Sequence, residues 1–165
     1  CHFSSLMPTS LYGPTHNYDF EQSHVLPALI RNFHEAKRDG KEEVVIWGTG
    51  TPLREFMHVD DLADACIHLM QRKEWQMLTN IGSGEEISIQ NLAVLIKQIV
   101  GYQGKIVHDL NKPDGTPRKL MDSSLLSKTG WKARIKLNIG LRNVYESLKN
   151  EDWFDHKPRI VKELV

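Results

Sequence analysis

The sequence predicts an α/β fold, because short apolar segments that suit β strands alternate along the chain with stretches of helical periodicity. Residues 44–47 read Val-Val-Ile-Trp, the pattern of a short buried strand, whereas Val25, Leu29 and Phe33 fall on one helical stripe. The predicted strands are too few to complete a doubly wound sheet. We therefore expect an α/β unit that forms part of a longer protein.

The first third of the chain contains two predicted elements joined by a polar segment. Residues 3–7 suit a short strand that a proline ends, and residues 8–14 suit a loop that closes on a Gly-Pro pair. A helix then begins with Ser23 as its N-cap, accommodates Pro27 in or near its first turn, and stops at Gly40.

The rest of the chain continues the alternation. Asp60 and Ser88 have the side-chain oxygen that a helix N-cap requires, and each precedes apolar residues at helical spacing. The other predicted elements are a strand at 44–47, an extended piece at 56–59, strands at 78–81 and 105–108, a polar loop at 109–122 and a last helix from about residue 137.

The composition limits the classes of partner. The 165 residues carry 21 basic and 21 acidic side chains, so we expect no nucleic-acid partner, which would need a cationic surplus. No apolar run approaches the length of a membrane span, and no membrane partner is expected. Cys1 and Cys66 cannot form a disulfide framework, which favours a reducing, cytoplasmic location. Residues 105–136 nevertheless hold eight Lys or Arg against three Asp, a local surplus of cations.

Two candidate functional features lie near the amino terminus. The segment at 8–14 leaves the end of a strand, where open α/β sheets bind ligands; an ordinary turn is the alternative. His24 stands at a helix start, where the positive end of the helix dipole favours a neutral imidazole that could accept a proton. A capping or surface role is the alternative for His24.

A third candidate is the segment at 47–56. Trp47 offers a plane on which a base or sugar could stack, and Arg54 has the forked donors that suit a phosphate. The alternative is a hairpin with a buried Trp47 and a surface Arg54. Gly48 and Gly50 do not form a dinucleotide fingerprint, because the third glycine and the following helix are absent.

Residues 112–119 form a fourth candidate, in which Pro and Gly shape a loop while Lys and Arg can pair with phosphate. Asp114 could accept hydrogen bonds from a guanine edge; a solvated basic turn is the alternative. His58 with Asp60 and Asp61 could suggest a metal site, but a helix cap beside a solvated histidine fits better. No Cys/His spacing suits zinc, and we expect no metal.

The order of these motifs resembles one family. The segments are Pro-Thr-Ser-Leu-Tyr-Gly-Pro at 8–14, Ser-His-Val-Leu-Pro-Ala-Leu-Ile-Arg at 23–31, Ile-Trp-Gly-Thr-Gly-Thr-Pro-Leu-Arg-Glu-Phe-Met-His-Val-Asp-Asp-Leu-Ala at 46–63, Asn-Ile-Gly-Ser-Gly at 80–84 and Lys-Pro-Asp-Gly-Thr-Pro-Arg-Lys at 112–119. From about residue 3 to about residue 150, the chain resembles the carboxyl-terminal, mostly substrate-binding part of an extended short-chain dehydrogenase/reductase with a Rossmann-type, NAD(P)-binding fold. Within that family it resembles the GDP-L-fucose synthases.

The resemblance implies an enzyme that converts GDP-4-keto-6-deoxy-D-mannose to GDP-L-fucose by 3,5-epimerisation and NADPH-dependent reduction of the 4-ketone. By motif position, His24 matches the family's catalytic acid/base. The residues that match contacts to the NADP(H) cofactor are Pro8, Thr9, Ser10, Leu11 and His24, and those that match contacts to the GDP-sugar substrate are Arg31, Trp47, Arg54, Asp114 and Lys119. The family usually has a basic residue at the position of Asn32, and Arg31 is its basic neighbour.

The resemblance also implies parts of the protein that would precede Cys1. The Gly-rich cofactor fingerprint, a Tyr-x-x-x-Lys pair, the serine that polarises the ketone and the catalytic cysteine belong there, and neither Cys1 nor Cys66 occupies that cysteine's position. We expect residues 3–7, 60–72 and 78–81 to pack on this Rossmann half. The chain alone is expected to be inactive and poorly soluble, and the full-length protein to be a homodimer.

Two alternatives stay open on the sequence alone. A related sugar-nucleotide epimerase or dehydratase would share most of the motifs and differ in its product. A non-catalytic nucleotide-binding or interaction module would bind GDP without needing an upstream catalytic half.

Overall fold

A computed structural model of the chain describes residues 4–14, 24–72, 78–150 and 154. Its strands are β1 (Leu6–Pro8), β2 (Ser10–Tyr12), β3 (Glu43–Trp47), β4 (Leu53–His58), β5 (Thr79–Ile81), β6 (Glu86–Ser88), β7 (Lys105–Asp109) and β8 (Arg118–Lys119). Its helices are α1 (Val25–Arg38), α2 (Val59–Met70), α3 (Ile89–Val100), α4 (Ser124–Ser127) and α5 (Leu137–Asn150). The alternation of strands and helices confirms the predicted α/β class.

Strand β4 lies at the centre of the largest sheet. It pairs antiparallel with β6 and parallel with β2, where Ser10 lies opposite Phe56. The short β8 pairs with the beginning of β4 and places Lys119 opposite Arg54. One strand therefore joins segments from the beginning, the middle and the later part of the chain.

Two smaller sheets are parallel pairs, β1 with β5 and β3 with β7. In β3 the side chains of Val44 and Ile46 are buried, while those of Glu43, Val45 and Trp47 are exposed. This alternation is typical of a strand with one face in solvent. β3 is therefore buried on one face only, although its run of apolar residues at 44–47 predicted a buried strand.

The predicted loop at 8–14 contains strand β2. The backbone pairs with β5 as far as Pro8 and with β4 from Ser10 onward. Between these two strands, the Thr9 N–H donates to the Ile81 carbonyl oxygen at 2.9 Å. The loop prediction is wrong for residues 10–12, because the strand that pairs with them lies far along the sequence. For the same reason the predicted loop at 109–122 contains the two residues of β8.

Two helix N-caps differ from the prediction. α1 has His24 at its N-cap position instead of Ser23, which lies outside the described residues. In α2 the His58 ring accepts a hydrogen bond from the Asp60 N–H at 3.2 Å, so the prediction of Asp60 as the cap is wrong. The His58 Nδ1 atom supplies the acceptor that the helix start requires, in place of a carboxylate.

Other helix boundaries agree with the prediction. Pro27 is the third residue of α1. The N–H groups of the first helical turn have no acceptor within the helix, so a proline, which lacks an N–H, costs little at this position. Ser88 caps α3, and its Oγ accepts from the Asn91 N–H at 3.1 Å. Gly40, the predicted stop of α1, directly follows the Asp39 C-cap and has a φ of 64°, in the left-handed region. Gly101 ends α3 in the same conformation, a boundary that was not predicted.

The main core lies where α1, α3 and α5 pack on one another and on the sheets. Phe33, Ile96 and Leu141 are 1% exposed or less, and Tyr12 and Phe56 extend the same cluster to β2 and β4. Burying an apolar side chain of this size contributes about 1.5–3 kcal/mol relative to leaving it exposed. The three helices therefore give the β4 sheet its main apolar support.

A second, smaller core joins α2 to β4 and β5. Its buried residues include Met57, Ala65, Leu69 and Ile81. No helix within the described ranges is both long and apolar enough to cross a membrane.

Exposed apolar side chains also occur on β1, on α2 and directly before β5. Met7 is 51% exposed, Ile67 58%, Met70 82% and Leu78 63%. We call these four residues the apolar face. All four belong to the segments that the sequence predicted to pack on another domain.

Candidate functional site

The loop at 112–117 is tied to the turn between β3 and β4 by a carboxylate. Asp114 Oδ1 accepts from the Thr49 N–H at 2.9 Å, and Asp114 Oδ2 accepts from the Thr49 hydroxyl at 2.7 Å. Gly48 has a φ of 70°, and a Cβ at this position would collide with the Asp114 carboxylate. A glycine at 48 therefore permits both the backbone conformation and the close approach of Asp114.

Trp47 presents its ring to solvent at the end of β3. The side chain is 68% exposed, and the Lys112 ammonium lies 5.2 Å from the ring centroid, within range of a cation–π interaction. Asp114 follows two residues after Lys112 on the same loop. An aromatic plane, a cation and a carboxylate therefore border one surface.

Arg54 is half-buried against the same loop. Its Nη1 donates to the carbonyl oxygens of Leu53 at 2.7 Å and of Thr116 at 2.6 Å. A Cβ built on Gly115 would lie 2.9 Å from Arg54 Nη2, so the loop backbone passes close to the guanidinium. The alternative hairpin with a buried Trp47 and a surface Arg54 is wrong for both residues, and β3 and β4 pair with other strands.

The pairing of β8 with β4 adds a further cation to this group. Lys119 is exposed and lies opposite Arg54 in the strand register. Four of the five residues predicted to contact substrate therefore surround one loop: Trp47, Arg54, Asp114 and Lys119. Chemically, this group offers a ring face for stacking, a carboxylate acceptor and two cations for an anionic group.

The remaining predicted substrate residue and the predicted acid/base lie on α1. Arg31 forms an ion pair with Glu35, with Nε and Oε1 2.7 Å apart, one helical turn along. Asn32 beside it is half-buried. His24 is exposed at the N-cap position, and its side chain does not cap the helix.

The predicted cofactor residues follow the carboxyl end of β1. Pro8 and Ser10 are exposed and Leu11 is half-buried, while the Thr9 hydroxyl donates to the Glu55 carbonyl oxygen at 3.2 Å. β1 and β5 are parallel, and open α/β sheets bind ligands just beyond the carboxyl ends of such strands. The position of this segment is therefore compatible with a cofactor site.

Glu55 is a residue of this region that the sequence motifs do not single out. Its side chain is 1% exposed, and its two carboxylate oxygens accept from the Gly84 N–H at 2.7 Å and the Met121 N–H at 3.0 Å. The available signal was an acidic residue directly before two apolar residues of a strand. A neighbouring cleft of about 540 Å³ is lined by Gly84, Arg118, Leu120, Met121, Asp122, Ser123 and Ser124.

An ion pair fastens β8 to β6 beside this cleft. Arg118 donates from Nε and Nη2 to the two carboxylate oxygens of Glu86 at 2.8 and 2.7 Å. These hydrogen bonds from Arg118 lower the pKa of Glu86 below its ordinary value. The two residues are far apart in sequence, so no local pattern predicts their pairing.

The residues at 58–61 that could have suggested a metal site make packing and hydrogen-bond contacts within the protein. His58 is buried and packs edge-on against Tyr12 with ring centroids 5.2 Å apart, so the expectation of a solvated histidine is wrong. Asp61 is buried and accepts from the N–H groups of Arg134 and Ile135 at 3.1 and 3.0 Å. Burial, with a smaller effect of the Asp61 charge, raises the pKa of Tyr12. Within the described part of the chain, no three His, Cys, Asp or Glu residues are grouped to hold a metal ion.

Comparison with known proteins identifies the class to which this fold and site belong. Residues 1–82 match the NAD dependent epimerase/dehydratase family. The chain is similar to the solved structure of a GDP-L-fucose synthetase from Naegleria fowleri bound to NADP, with a TM-score of 0.84 at 27% identity. The match covers 92% of this chain and 48% of the Naegleria chain. Residues 1–82 thus belong to the NAD dependent epimerase/dehydratase family.

Within that family the chain is similar to GDP-L-fucose synthases. GDP-L-fucose synthase 1 of Arabidopsis thaliana is 57% identical over 148 residues, which cover 90% of this chain and 44% of that protein. The GDP-L-fucose synthase of Escherichia coli strain K12 is 48% identical over 162 residues, which cover 92% of this chain and 50% of that protein. The chain spans about half the length of these curated relatives. The resemblance predicted from the motifs is confirmed.

The close approach of Asp114 to Gly48 can be tested with a matched pair of variants. Gly48→Ala is expected to lower the free energy of unfolding by about 1–3 kcal/mol more than Gly40→Ala does, because only residue 48 adds an overpacked contact. Both glycines have positive φ, 70° and 64°, so both variants share the backbone strain, but a Cβ at Gly40 meets nothing within 4 Å. Denaturant titration measures both losses. Equal losses would contradict the contact with Asp114.

Proposed function

We propose that this chain is the carboxyl-terminal half of a GDP-L-fucose synthase. The full-length enzyme would convert GDP-4-keto-6-deoxy-D-mannose to GDP-L-fucose by 3,5-epimerisation and NADPH-dependent reduction of the 4-ketone. The observation that carries the proposal is the convergence of an exposed aromatic ring, a carboxylate and two cations around the loop at 112–119. Its similarity to the Arabidopsis and Escherichia coli enzymes supports the same substrate class.

In this proposal the GDP part of the substrate lies along the loop at 112–119. The Trp47 ring stacks on the base or ribose, and Asp114 accepts from the guanine edge. A carboxylate can accept about four hydrogen bonds, so the two that Asp114 accepts from Thr49 leave capacity for a ligand. Arg54 and Lys119 supply charge-assisted hydrogen bonds to the diphosphate.

His24 is proposed to move protons at the carbons next to the ketone. Such protons are acidified because the enolate spreads its charge, so a positioned imidazole can remove or return them. The exposed position of His24 at the start of α1 leaves room for a substrate to approach. Arg31, about two helical turns further along α1, is proposed to contact the same substrate.

The NADP(H) cofactor is proposed to lie against Pro8, Thr9, Ser10 and Leu11, with His24 nearby. When bound, the cofactor supplies the hydride that reduces the ketone. The parallel strands β1 and β5 end at this segment, which is the position at which α/β sheets bind nucleotides. The bond from Thr9 to the Glu55 carbonyl holds this segment against β4.

The apolar face is proposed to pack against the amino-terminal Rossmann half. Four large apolar side chains that are each more than half exposed would be unfavourable if left in water, and they lie on the elements next to the proposed cofactor segment. This half would carry the Gly-rich fingerprint and the Tyr-x-x-x-Lys pair. On the family resemblance and the cysteine content, we also propose a homodimer located in the cytoplasm.

Product analysis with the full-length protein tests the proposed function. Incubation with GDP-4-keto-6-deoxy-D-mannose and NADPH should give GDP-L-fucose and oxidise an equimolar amount of NADPH. A different GDP-sugar product would instead indicate a related epimerase or reductase. GDP binding without any turnover would indicate a non-catalytic nucleotide-binding module.

Arg54→Ala in the full-length protein is expected to weaken GDP binding by about 1.5–3 kcal/mol, the usual contribution of a hydrogen bond to a charged group. Arg54→Lys should recover only part of this loss, because an ammonium cannot make the planar two-point contact. The affinity for NADPH should stay nearly constant. Calorimetric titration of each ligand measures these changes, with Arg142→Ala, an exposed arginine of α5, as the control. Unchanged GDP affinity in Arg54→Ala would remove this residue from the site.

His24→Gln in the full-length protein is expected to slow the epimerisations more than hydride transfer. The loss of a positioned acid/base typically lowers the rate by roughly 10²–10⁴-fold, and glutamine cannot exchange protons. Solvent deuterium incorporation at C3 and C5 of the sugar measures this step. His68→Gln, on α2, is the control. Deuterium incorporation at the wild-type rate in His24→Gln would contradict the assignment.

Ile67→Lys should act in opposite directions in the isolated chain and in the full-length protein. In the 165-residue chain it should reduce self-association, because it places a charge on an exposed apolar face. In the full-length protein it should lower the yield of folded enzyme, because the charge would be buried against the Rossmann half. Light scattering and soluble yield measure the two effects. The control is Ile139→Lys, which is 53% exposed on α5; equal tolerance of both changes in the full-length protein would argue against the proposed packing.

A further inference from the structure

Glu55 is a buried carboxylate with no cationic partner within the described residues. The side chain is 1% exposed. Its donors are the Gly84 N–H at 2.7 Å and the Ser83 hydroxyl at 3.5 Å on Oε1, and the Met121 N–H at 3.0 Å on Oε2. A buried carboxylate without these bonds would be strongly unfavourable, so the surrounding backbone is arranged to satisfy it.

The arrangement of these donors explains why a carboxylate is required. Two N–H groups from separate segments point at the two oxygens of one side chain, so both oxygens must be acceptors. A glutamine has the same shape but offers only one acceptor, and its NH₂ group would face a second N–H donor. Gly82 leaves the carboxylate room, because a Cβ there would collide with Oε1.

The segments that Glu55 joins are parts of the candidate site. Gly84 lies in the turn after β5, and Met121 follows β8, which carries Lys119. Gly84 and Met121 both line the cleft of about 540 Å³. Arg54, the preceding residue of β4, bonds to Thr116 of the same loop. Consecutive residues of β4 thus fasten the two ends of the segment at 116–121.

We infer that Glu55 is a positioning residue of the nucleotide-sugar site. Its carboxylate holds the segment at 118–124 against β4, and so sets where Lys119 and the cleft wall lie relative to Arg54. The inference rests on the proposed function for the identity of the ligand. It assigns Glu55 no contact with substrate or cofactor.

The test compares Glu55→Gln with Glu85→Gln in the full-length protein. Glu85 is the control because it is exposed and bonds to Lys136, and it does not line the cleft. Glu55→Gln is expected to raise the dissociation constant for GDP about tenfold, the equivalent of one lost bond to a charged group. The dissociation constant for NADPH should change less than twofold, a change of no more than about 0.4 kcal/mol, because the Thr9 bond is to the Glu55 backbone. Amide hydrogen exchange at 118–124 should become faster, and Glu85→Gln should change none of these quantities.

These measurements separate a positioning role from a purely stabilising one. If Glu55→Gln lowers the melting temperature but leaves the GDP affinity of the folded protein unchanged, the inference is overturned. Unchanged exchange at 118–124 overturns it as well. If the wild-type protein itself fails to bind GDP, the proposed function fails, and exchange at 118–124 alone decides whether Glu55 positions this segment.

A second variant covers the case in which Glu55→Gln does not fold. Asn80 Nδ2 donates to the Asp122 carbonyl oxygen at 3.1 Å and holds the same segment at a more exposed position. Asn80→Ala should weaken GDP binding several-fold and speed exchange at 118–124. Wild-type values for both would overturn the claim that the position of this segment controls GDP affinity.

Discussion

The candidate site depends on the attachment of the segment at 112–124 to strand β4. This attachment consists of the β8 pairing, the bond from Arg54 to the Thr116 carbonyl, and the bond from the Met121 N–H to Glu55. Successive residues of a strand point to opposite sides, which is why Arg54 and Glu55 can hold different parts of the same segment. The bonds of Asp114 to Thr49 fix the far end of the loop.

Some of the basic side chains that give residues 105–136 their cationic surplus are already engaged by other groups of the protein. Of the basic residues in this region, Arg118 is paired with Glu86, and Lys112 lies over the Trp47 ring. Lys119 is exposed beside Arg54, whose Nη1 is used by backbone carbonyls. Among the cations around the loop at 112–119, Arg54 and Lys119 therefore lie next to each other at the β4–β8 pair, which is where a diphosphate would have to bind for the proposed function.

Much of the fold could be predicted from local patterns. The periodicity of α1 and α3 and the Ser88 cap are properties of neighbouring residues, and they agree with the structure. The strands β2 and β8 could not be predicted, because each is short and exists only through pairing with β4. The His58 cap was missed because an imidazole is an unusual acceptor in that role, and the burial of His58 depends on Tyr12 packing against it.

In the candidate site too, some residues could be predicted from the sequence and others could not. The resemblance of motifs placed Trp47, Arg54, Asp114 and Lys119 in one site, and the structure brings these four together around one loop. Thr49 and Glu55 were missed because their importance comes from bonds to distant segments, which no spacing in the sequence reveals. The residues that hold the site in shape are therefore harder to predict than those that present chemistry on its surface.

A crystal structure of the full-length protein with GDP would show directly whether the loop at 112–119 binds the nucleotide. We expect the guanine base against the Trp47 ring and the Asp114 carboxylate, and the diphosphate within hydrogen-bond distance of Arg54 or Lys119. The segment at 118–124 should keep its bond to Glu55 in that complex. GDP bound elsewhere, with the loop at 112–119 making no contact to it, would show that this loop is not the nucleotide site.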